Sequence, residues 1–400
     1  MSQQPNIIVV GASARAAAFS ALRAGMRPYA IDLFADCDLA DVCPAVKIKR
    51  YPQDFEDALA AAPQAPWIYT GGLENHPDLV DRMATIRPLY GNGGEVLRKI
   101  RDPKLLADCL ALADVKFGVP EIRDSISPRD PNKQWLRKPR RSSGGLGIRR
   151  VQLNVEHENN ANHYFQEQVQ GDAWSAVFIA DSSGCRHMGI TEQQSGVADL
   201  TDEPFLYAGS ATSNLPRNID GEYREGLEDL GRLLAGEFGL QGIFNVDMVG
   251  DHWLLEVNPR YSASVEVLEH LRGENFLAMH MAVFDPNFQV EKRCGISKSP
   301  SHVAKQVVYA GIDCLVTPEL HRLRKVWNVE RLLPGLADIP RPGDRILRGQ
   351  PIVTVIAEGC NDDEVQRLLN ERVTAVRRTL MPEEDRNLTQ RHQGTEENAQ

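Results

Sequence analysis

The residues from Phe244 to Arg260 hold the densest set of side chains that can do chemistry. The stretch reads as a β-hairpin turning at Gly250-Asp251, a favourable two-residue loop with glycine first. That register pairs Val249 with His252, Met248 with Trp253 and Asp247 with Leu254. Alternation then puts Phe244, Val246, Met248, Trp253, Leu255 and Val257 on an apolar face. The other face carries Asn245, Asp247, Glu256 and Asn258, with Leu254 among them. A one-residue slip would destroy this separation. A hard divalent cation wants oxygen ligands, and Mg²⁺ takes one or two carboxylates together with phosphate oxygens. Asp247, Glu256 and Asn258 fit that demand, and Arg260, just past Pro259, suits an adjacent anionic oxygen. Taken alone, the pattern describes a solvent-facing hairpin with ordinary polar residues equally well.

Upstream features favour the chemical reading. Ser142-Ser143-Gly144-Gly145-Leu146-Gly147 is a loop whose backbone N–H groups can come close to phosphates. It lacks the Gly-Lys-Ser/Thr ending of a P-loop, and a surface loop has the same composition. Lys138, on a short strand just before it, makes a reasonable phosphate clamp. The basic cluster from Arg137 to Arg150 stands out in a chain of formal net charge −10 and pI about 5.6. Local positive charge on an acidic chain points to a small anionic ligand. Without a strong basic excess, nucleic acid is excluded as the main partner.

The elements that must position these groups are legible in outline. Residues Asn6 to Asp32 read as strand, turn, helix and strand, a Rossmann-like unit. It is a poor dinucleotide site, because Gly11-Ala12-Ser13-Ala14-Arg15-Ala16 carries one glycine where the fingerprint wants three. Asp32 either binds a ribose or simply starts a loop. Asp102 and Pro103 open a helix as N-cap and first helical residue, with Gly118 and Pro120 as its expected end. Strands are expected over Trp135–Pro139, Tyr164–Val169 and Val177–Ala180, and an amphipathic helix over Glu222–Phe238. Beyond Asp285, Val303–Ala310 and the punctuated run Pro340–Ala357 suggest a small β-rich unit followed by a helix, Asp362 to Arg378. The chain is polar after Met381, which reads as a disordered tail.

With 400 residues, two or three domains are expected. No apolar stretch is long enough to cross a bilayer, and the first residues lack a signal-peptide pattern. The 7 cysteines are scattered without a Cys-x-x-Cys pair, which fits a reducing cytoplasm. The 10 histidines show no metal-ligand spacing.

Lys104 in a helix, strand Lys138-Pro139, the small-residue loop, Glu167-x-x-x-Gly171, Asp247 and Glu256-x-Asn258-Pro259-Arg260 together resemble the ordered motif set of the ATP-grasp superfamily, over roughly Arg101 to Leu268. The resemblance implies an α/β (α+β overall) ATP-grasp fold. Residues 1–95 would form a Rossmann-like N-terminal domain, 96–172 the small lobe and 173–285 the large lobe. A β-rich domain over 286–380 and the tail 381–400 would follow. By motif position, Lys104 and Lys138 would contact ATP phosphates, under a closing loop that includes Ser143, Gly144, Gly145 and Gly147. Glu167, Gln168 and Val169 would form the hinge that reads adenine, and Asp172 would reach the ribose. Asp247, Glu256 and Asn258 would hold Mg²⁺, or Mn²⁺, and Arg260 would stabilise the transferring phosphoryl group. Gln193, Tyr207, Gly209, Ser262 and Ser264 fall where a substrate pocket is expected; exposed loops and a capped helix explain them as well.

The activity implied is carboxylate–amine ligation through an acyl phosphate, with small-molecule carboxylate and amine substrates and a homodimer as the expected assembly. Within the superfamily the chain looks closest to predicted ATP-dependent carboligases related to biotin carboxylase. Their similarity to tyramine–glutamate ligases points to biosynthesis of a one-carbon cofactor such as methanofuran or methanopterin. The first rival is a biotin-carboxylase-like enzyme, but Ser264 stands where that branch carries a glutamate. The second is a non-catalytic ATP-binding protein. A nicotinamide-dependent oxidoreductase would rest on the N-terminal unit alone and lacks its glycines.

Overall fold

Ile7-Ile8-Val9-Val10 is apolar at every position, so as a strand it must be covered on both faces. The computed structural model, which describes residues 4–126, 133–151, 157–158, 161–200, 202–212, 221–288, 300–329 and 332–380, places it so. Strand β1 (Ile7–Gly11) lies between β2 (Pro28–Asp32) and β4 (Trp67–Tyr69), with β3 (Ala45–Lys47) outside β2, all parallel. Ile7 and Val9 face one core, Ile8 and Val10 another. The single glycine of the first turn has a packing reason: a Cβ on Gly11 would meet Thr70 Oγ1 at 1.9 Å. Asp32 is not free for a ribose. Its carboxylate accepts from the N–H groups of Ala14, Phe34 and Ala35, at 2.5, 2.6 and 2.7 Å, tying β2 to the start of helix α1 (Arg15–Arg23).

Helix α2 (Pro103–Leu112) starts as expected, with Asp102 capping Lys104 N at 2.9 Å. It ends before Gly118, and Leu112 is left exposed. The small lobe is an antiparallel sheet of β5 (Ile122–Arg123), β6 (Trp135–Pro139), β7 (Arg149–Arg150) and β8 (His163–Glu167), in the order β5-β8-β6-β7.

The large lobe is built on β9 (Ala173–Asp181), β10 (Gly184–Ser195), β11 (Tyr207–Ala211), β12 (Gly242–Val249) and β13 (Trp253–Asn258). Alternation along β9 sends Trp174, Ala176 and Phe178 toward helix α3 (Gly221–Phe238), where Leu227, Leu230 and Leu234 complete a core. Val177 and Ile179 face the other way, against helices α4 (Ala263–Arg272) and α5 (Phe276–Phe284) and α1. Among the described residues no helix is long and apolar enough to cross a membrane.

The C-terminal segment is β-rich, as expected, with a core of its own. Strands β14 (His302–Tyr309), β15 (Leu336–Ala337) and β16 (Pro351–Gly359) continue the large-lobe sheet, giving eight strands in the order β13-β12-β9-β10-β11-β14-β16-β15. Helix α6 (Asp362–Thr379) covers β14 and β16 with its own core, including Val365, Leu369 and Val376. The expected tail from 381 to 400 lies outside the described residues. The junction explains Gly209, whose ideal Cβ would lie 2.4 Å from the Lys305 carbonyl oxygen across the β11–β14 pair. Gly209→Ala is therefore expected to destabilise the fold by about 1–3 kcal/mol, read as a lower midpoint in thermal or denaturant unfolding. An unchanged midpoint would mean that the strands can part at no cost.

A buried ionic network joins this segment to the N-terminal unit. Arg15, only 2% exposed, pairs with Glu266 and, at 3.0 Å, with Asp338, while Lys305 Nζ reaches Glu266 at 2.5 Å.

Candidate functional site

The hairpin of β12 and β13 carries Asn245, Asp247, Glu256 and Asn258, in a register different from the expected one. The turn takes three residues, Gly250 to His252, and Val249 pairs with Trp253 and Met248 with Leu254. A β-bulge then skips Leu255, so that Asp247 stands opposite Glu256 and Asn245 opposite Asn258. The two leucines exchange places relative to the expectation: Leu254 enters the core with Val246, Met248 and Val257, and Leu255 lines the cleft. The bulge restores the phase that keeps all four polar side chains on one face.

On that face Asn258 Nδ2 donates to Asp247 Oδ2 at 2.8 Å and to Glu256 Oε1 at 3.3 Å. Gln193 Nε2 and Asn245 Nδ2 donate to Asp247 Oδ1 at 2.8 and 3.0 Å. Arg101 Nη1 donates to Glu256 Oε2 at 3.1 Å. Arg260 is held from two sides: its Nε and Nη2 donate to Glu74 Oε1 at 3.0 and 2.8 Å, and Nη2 also to Asn258 Oδ1 at 3.1 Å. Burial pushes the Asp247 carboxyl up to about 6, with the neighbouring Glu256 charge adding to the effect. Burial acts the same way on Glu256, but Arg101, Lys138 and Arg260 outweigh it and hold that carboxyl below its usual range.

The donor set fits Mg²⁺. Among the described residues no three His, Cys, Asp or Glu side chains converge on a cation site. Two carboxylates and an amide facing a cleft are what a cation needs when phosphate oxygens supply the remaining ligands. The side-chain Oδ1 of Asn245, buried and without a hydrogen-bond partner among the described residues, lies beside them.

These residues open onto a cleft of about 1000 Å³ between the lobes and the N-terminal unit. Lys138 is 7% exposed on β6, and its Nζ donates to Gln166 Oε1 at 2.9 Å. The glycine-rich loop lies down across the cleft. Ser142 O accepts from Asn75 Nδ2 at 3.1 Å and Arg101 Nη2 at 3.2 Å, and Gly144 O accepts from Tyr207 N at 2.8 Å. Gly145, at φ +75°, passes so close to Phe205 that a Cβ would lie 1.9 Å from its carbonyl oxygen. Gly147 N and Arg149 donate to Glu203 Oε2 at 3.1 and 2.7 Å. In the hinge, Glu167 N and Gln168 N already donate to Glu121 O and Gln134 O, at 2.9 and 2.7 Å.

Ser143, Gly144, Gly145, Lys138, Glu167, Gln168 and Val169 line the cleft. So do Gln193, Tyr207, Ser262, Ser264, Asp247, Glu256, Asn258 and Arg260. Lys104, Gly147, Asp172 and Gly209 do not. Lys104 is half exposed on α2 and paired with Asp124; Arg101, three residues earlier, enters the cleft instead. The Asp172 carbonyl accepts from Gly250 N at 3.0 Å, bracing the hairpin turn. Ser264 Oγ is buried and accepts from Thr191 Oγ1 at 2.8 Å. Sequence reasoning missed Arg101, Glu74 and Gln166. Only Gln166 left a signal, as the polar residue on β8 that alternates with buried Phe165.

Residues 101–264 match the family model described as ATP-grasp domain. The chain contains an ATP-grasp domain. Solved ATP-grasp-like structures extend the likeness to nearly the whole chain. The biotin carboxylase domain of the 2-oxoglutarate carboxylase from Hydrogenobacter thermophilus, a dimer in complex with MgADP, ADP and bicarbonate, aligns with TM-score 0.65 and 14% identity over 95% of this chain and 91% of that one. Carboxyaminoimidazole ribonucleotide synthase from Aspergillus clavatus, complexed with ATP, gives TM-score 0.63 and 12% identity over 94% and 99%. The L-amino acid ligase from Bacillus licheniformis gives TM-score 0.61 and 12% identity over 92% and 97%. At these identities the likeness speaks for the fold alone. No curated protein sequence matches the chain.

Proposed function

We propose that the chain is an ATP- and Mg²⁺-dependent ligase that joins a carboxylate to an amine through an acyl phosphate. One observation carries the reading: Asp247, Glu256 and Asn258 share a face of the cleft, and Arg101, Lys138 and Arg260 supply its positive charge. Phosphoryl transfer needs positioning and charge stabilisation more than a protein nucleophile, and this arrangement offers both. A carboxylate oxygen attacks the γ-phosphorus, the bond from that phosphorus to the β,γ-bridging oxygen breaks, and ADP leaves. The amine nitrogen then attacks the acyl carbon, the carbon–oxygen bond to phosphate breaks, and phosphate departs as the amine gives up a proton.

Lys138 and Arg101 would hold the phosphates, and the loop through Ser143, Gly144 and Gly145 would shield the intermediate from water. With Glu167 N and Gln168 N engaged elsewhere, the base would be read by the hinge carbonyls and by Val169. Asp247 and Glu256 would hold Mg²⁺, joined by Asn258 once its amide turns its oxygen toward them; the bound ion would neutralise phosphate charge. The bicarbonate rival lacks the glutamate that the biotin-carboxylase branch places after the arginine. Ser264 is a hydroxyl, and the carboxylate two residues on, Glu266, is occupied by Arg15 and Lys305.

The test is ADP release from Mg·ATP, with carboxylates such as glutamate screened alone and with amines such as tyramine. ADP release that requires both partners supports ligation and the one-carbon cofactor branch. Release that requires bicarbonate and free biotin would overturn it in favour of the carboxylase.

Asp247 also sets a pH dependence. Its raised pKa lets protons compete with the cation in mild acid. The carboxylate is ionised above that value, so apparent Mg²⁺ affinity is expected to fall as pH drops through it, by up to about tenfold per further unit. Mg²⁺ titrations of ADP release between about pH 7.5 and about pH 5.5 check this. A flat Mg²⁺ requirement across that range would remove Asp247 from the cation site.

A further inference from the structure

Gln166 sits on β8 between Tyr164 and the hinge, 1% exposed, with its side chain on the cleft side. Its neighbour Phe165 points the other way, into a small core with Ile126 and Trp135. Lys138 Nζ donates to Gln166 Oε1 at 2.9 Å. An ammonium has no lone pair to offer, so this contact decides which end of the amide is oxygen. Nε2 must point away from the ammonium, and it has no acceptor among the described residues. A buried amide N–H without an acceptor is costly, so such a group is kept where something else supplies the lone pair. Lys138 and Gln166 line the same cleft as Asp247, Glu256 and Asn258.

We propose that Gln166 Nε2 and Lys138 Nζ form one clamp on phosphate oxygens of the bound nucleotide. Gln166 is then a ligand in its own right as well as the support that holds Lys138. Phosphate oxygens satisfy both donors at once, because each carries charge and several lone pairs. The inference rests on the ATP reading above and deepens it.

Calorimetric titration of the full chain with MgADP tests it, using wild type, Gln166→Met, Lys138→Met and the double variant. Gln166→Met is expected to weaken MgADP binding on the order of tenfold in wild type, and by a similar factor again in the Lys138→Met background. Silence of Gln166→Met in that background would mean that the amide only positions the lysine, and would overturn the proposal. Adenosine is expected to bind wild type and Gln166→Met alike; an equal loss for adenosine would move the contact to the base and also overturn it. Failure of wild type to bind MgADP would instead remove the nucleotide reading itself. Thermal unfolding without nucleotide shows whether each variant folds. Gln166→Glu provides a second test, since it keeps the acceptor for Lys138, loses the N–H, and is expected to bind MgADP weakly.

Discussion

Glu256→Gln is expected to lower substrate-dependent ADP release by about 100-fold or more and to raise the Mg²⁺ concentration needed for half-maximal rate. Even partners one layer out from a bound metal cost about 10–100-fold when removed, and Glu256 would face the proposed cation directly. Its carboxylate also accepts from Arg101 at 3.1 Å and from Asn258 at 3.3 Å. The substitution keeps the shape, removes the charge and turns one of the two acceptor oxygens into a donor. The side chain is 35% exposed to the cleft, so the fold is expected to tolerate the change. Steady-state rates over a Mg²⁺ series decide the matter. Turnover within about threefold of wild type at every Mg²⁺ concentration would show that the hairpin is not the cation site.

Arg260→Lys is expected to lose about 10²–10³-fold in kcat while KM for ATP changes little, since losing one preorganised donor to a transition state costs about that much. The guanidinium is planar and is fixed by Glu74, Asn258 and the Tyr261 carbonyl, which contacts Nη1 at 3.3 Å. A lysine keeps the charge but cannot span those partners. The nucleotide would still be held by Lys138, Arg101 and the hinge, so binding and chemistry separate in the kinetics. A raised KM with unchanged kcat would mean that Arg260 serves ground-state binding instead.

Much of this site was legible in the sequence, and the gaps have physical causes. The polar face of the hairpin was readable because apolar and polar residues alternate along it. Its register was not, because Leu254 and Leu255 are chemically identical and alternation cannot say which of the two the bulge ejects. Arg101 precedes the helix cap, where no periodicity fixes a side-chain direction; packing alone turns it into the cleft and leaves Lys104 outside. Glu74 lies 186 residues from Arg260 in sequence, and no local pattern links them. Gly209 reads from sequence as a pocket glycine, yet the close approach of a strand some 100 residues later requires it. For the same reason a β-rich C-terminal segment was visible, whereas the neighbour to which it adds its strands was not.

The eight-stranded sheet also sets the smallest piece of this protein that can be transplanted. The segment 101–264 matches the family, but it is not a self-sufficient module. A chain cut after α5 would leave β11 with an open edge in place of its partner β14. It would also strand Glu266 without Lys305. A cut before α2 would remove Arg15 from the same carboxylate and Glu74 from Arg260. Domain swaps and shuffled fusions that respect the family boundary should therefore yield sticky, inactive products. Recombination that preserves activity has to carry everything from β1 to α6 as one block.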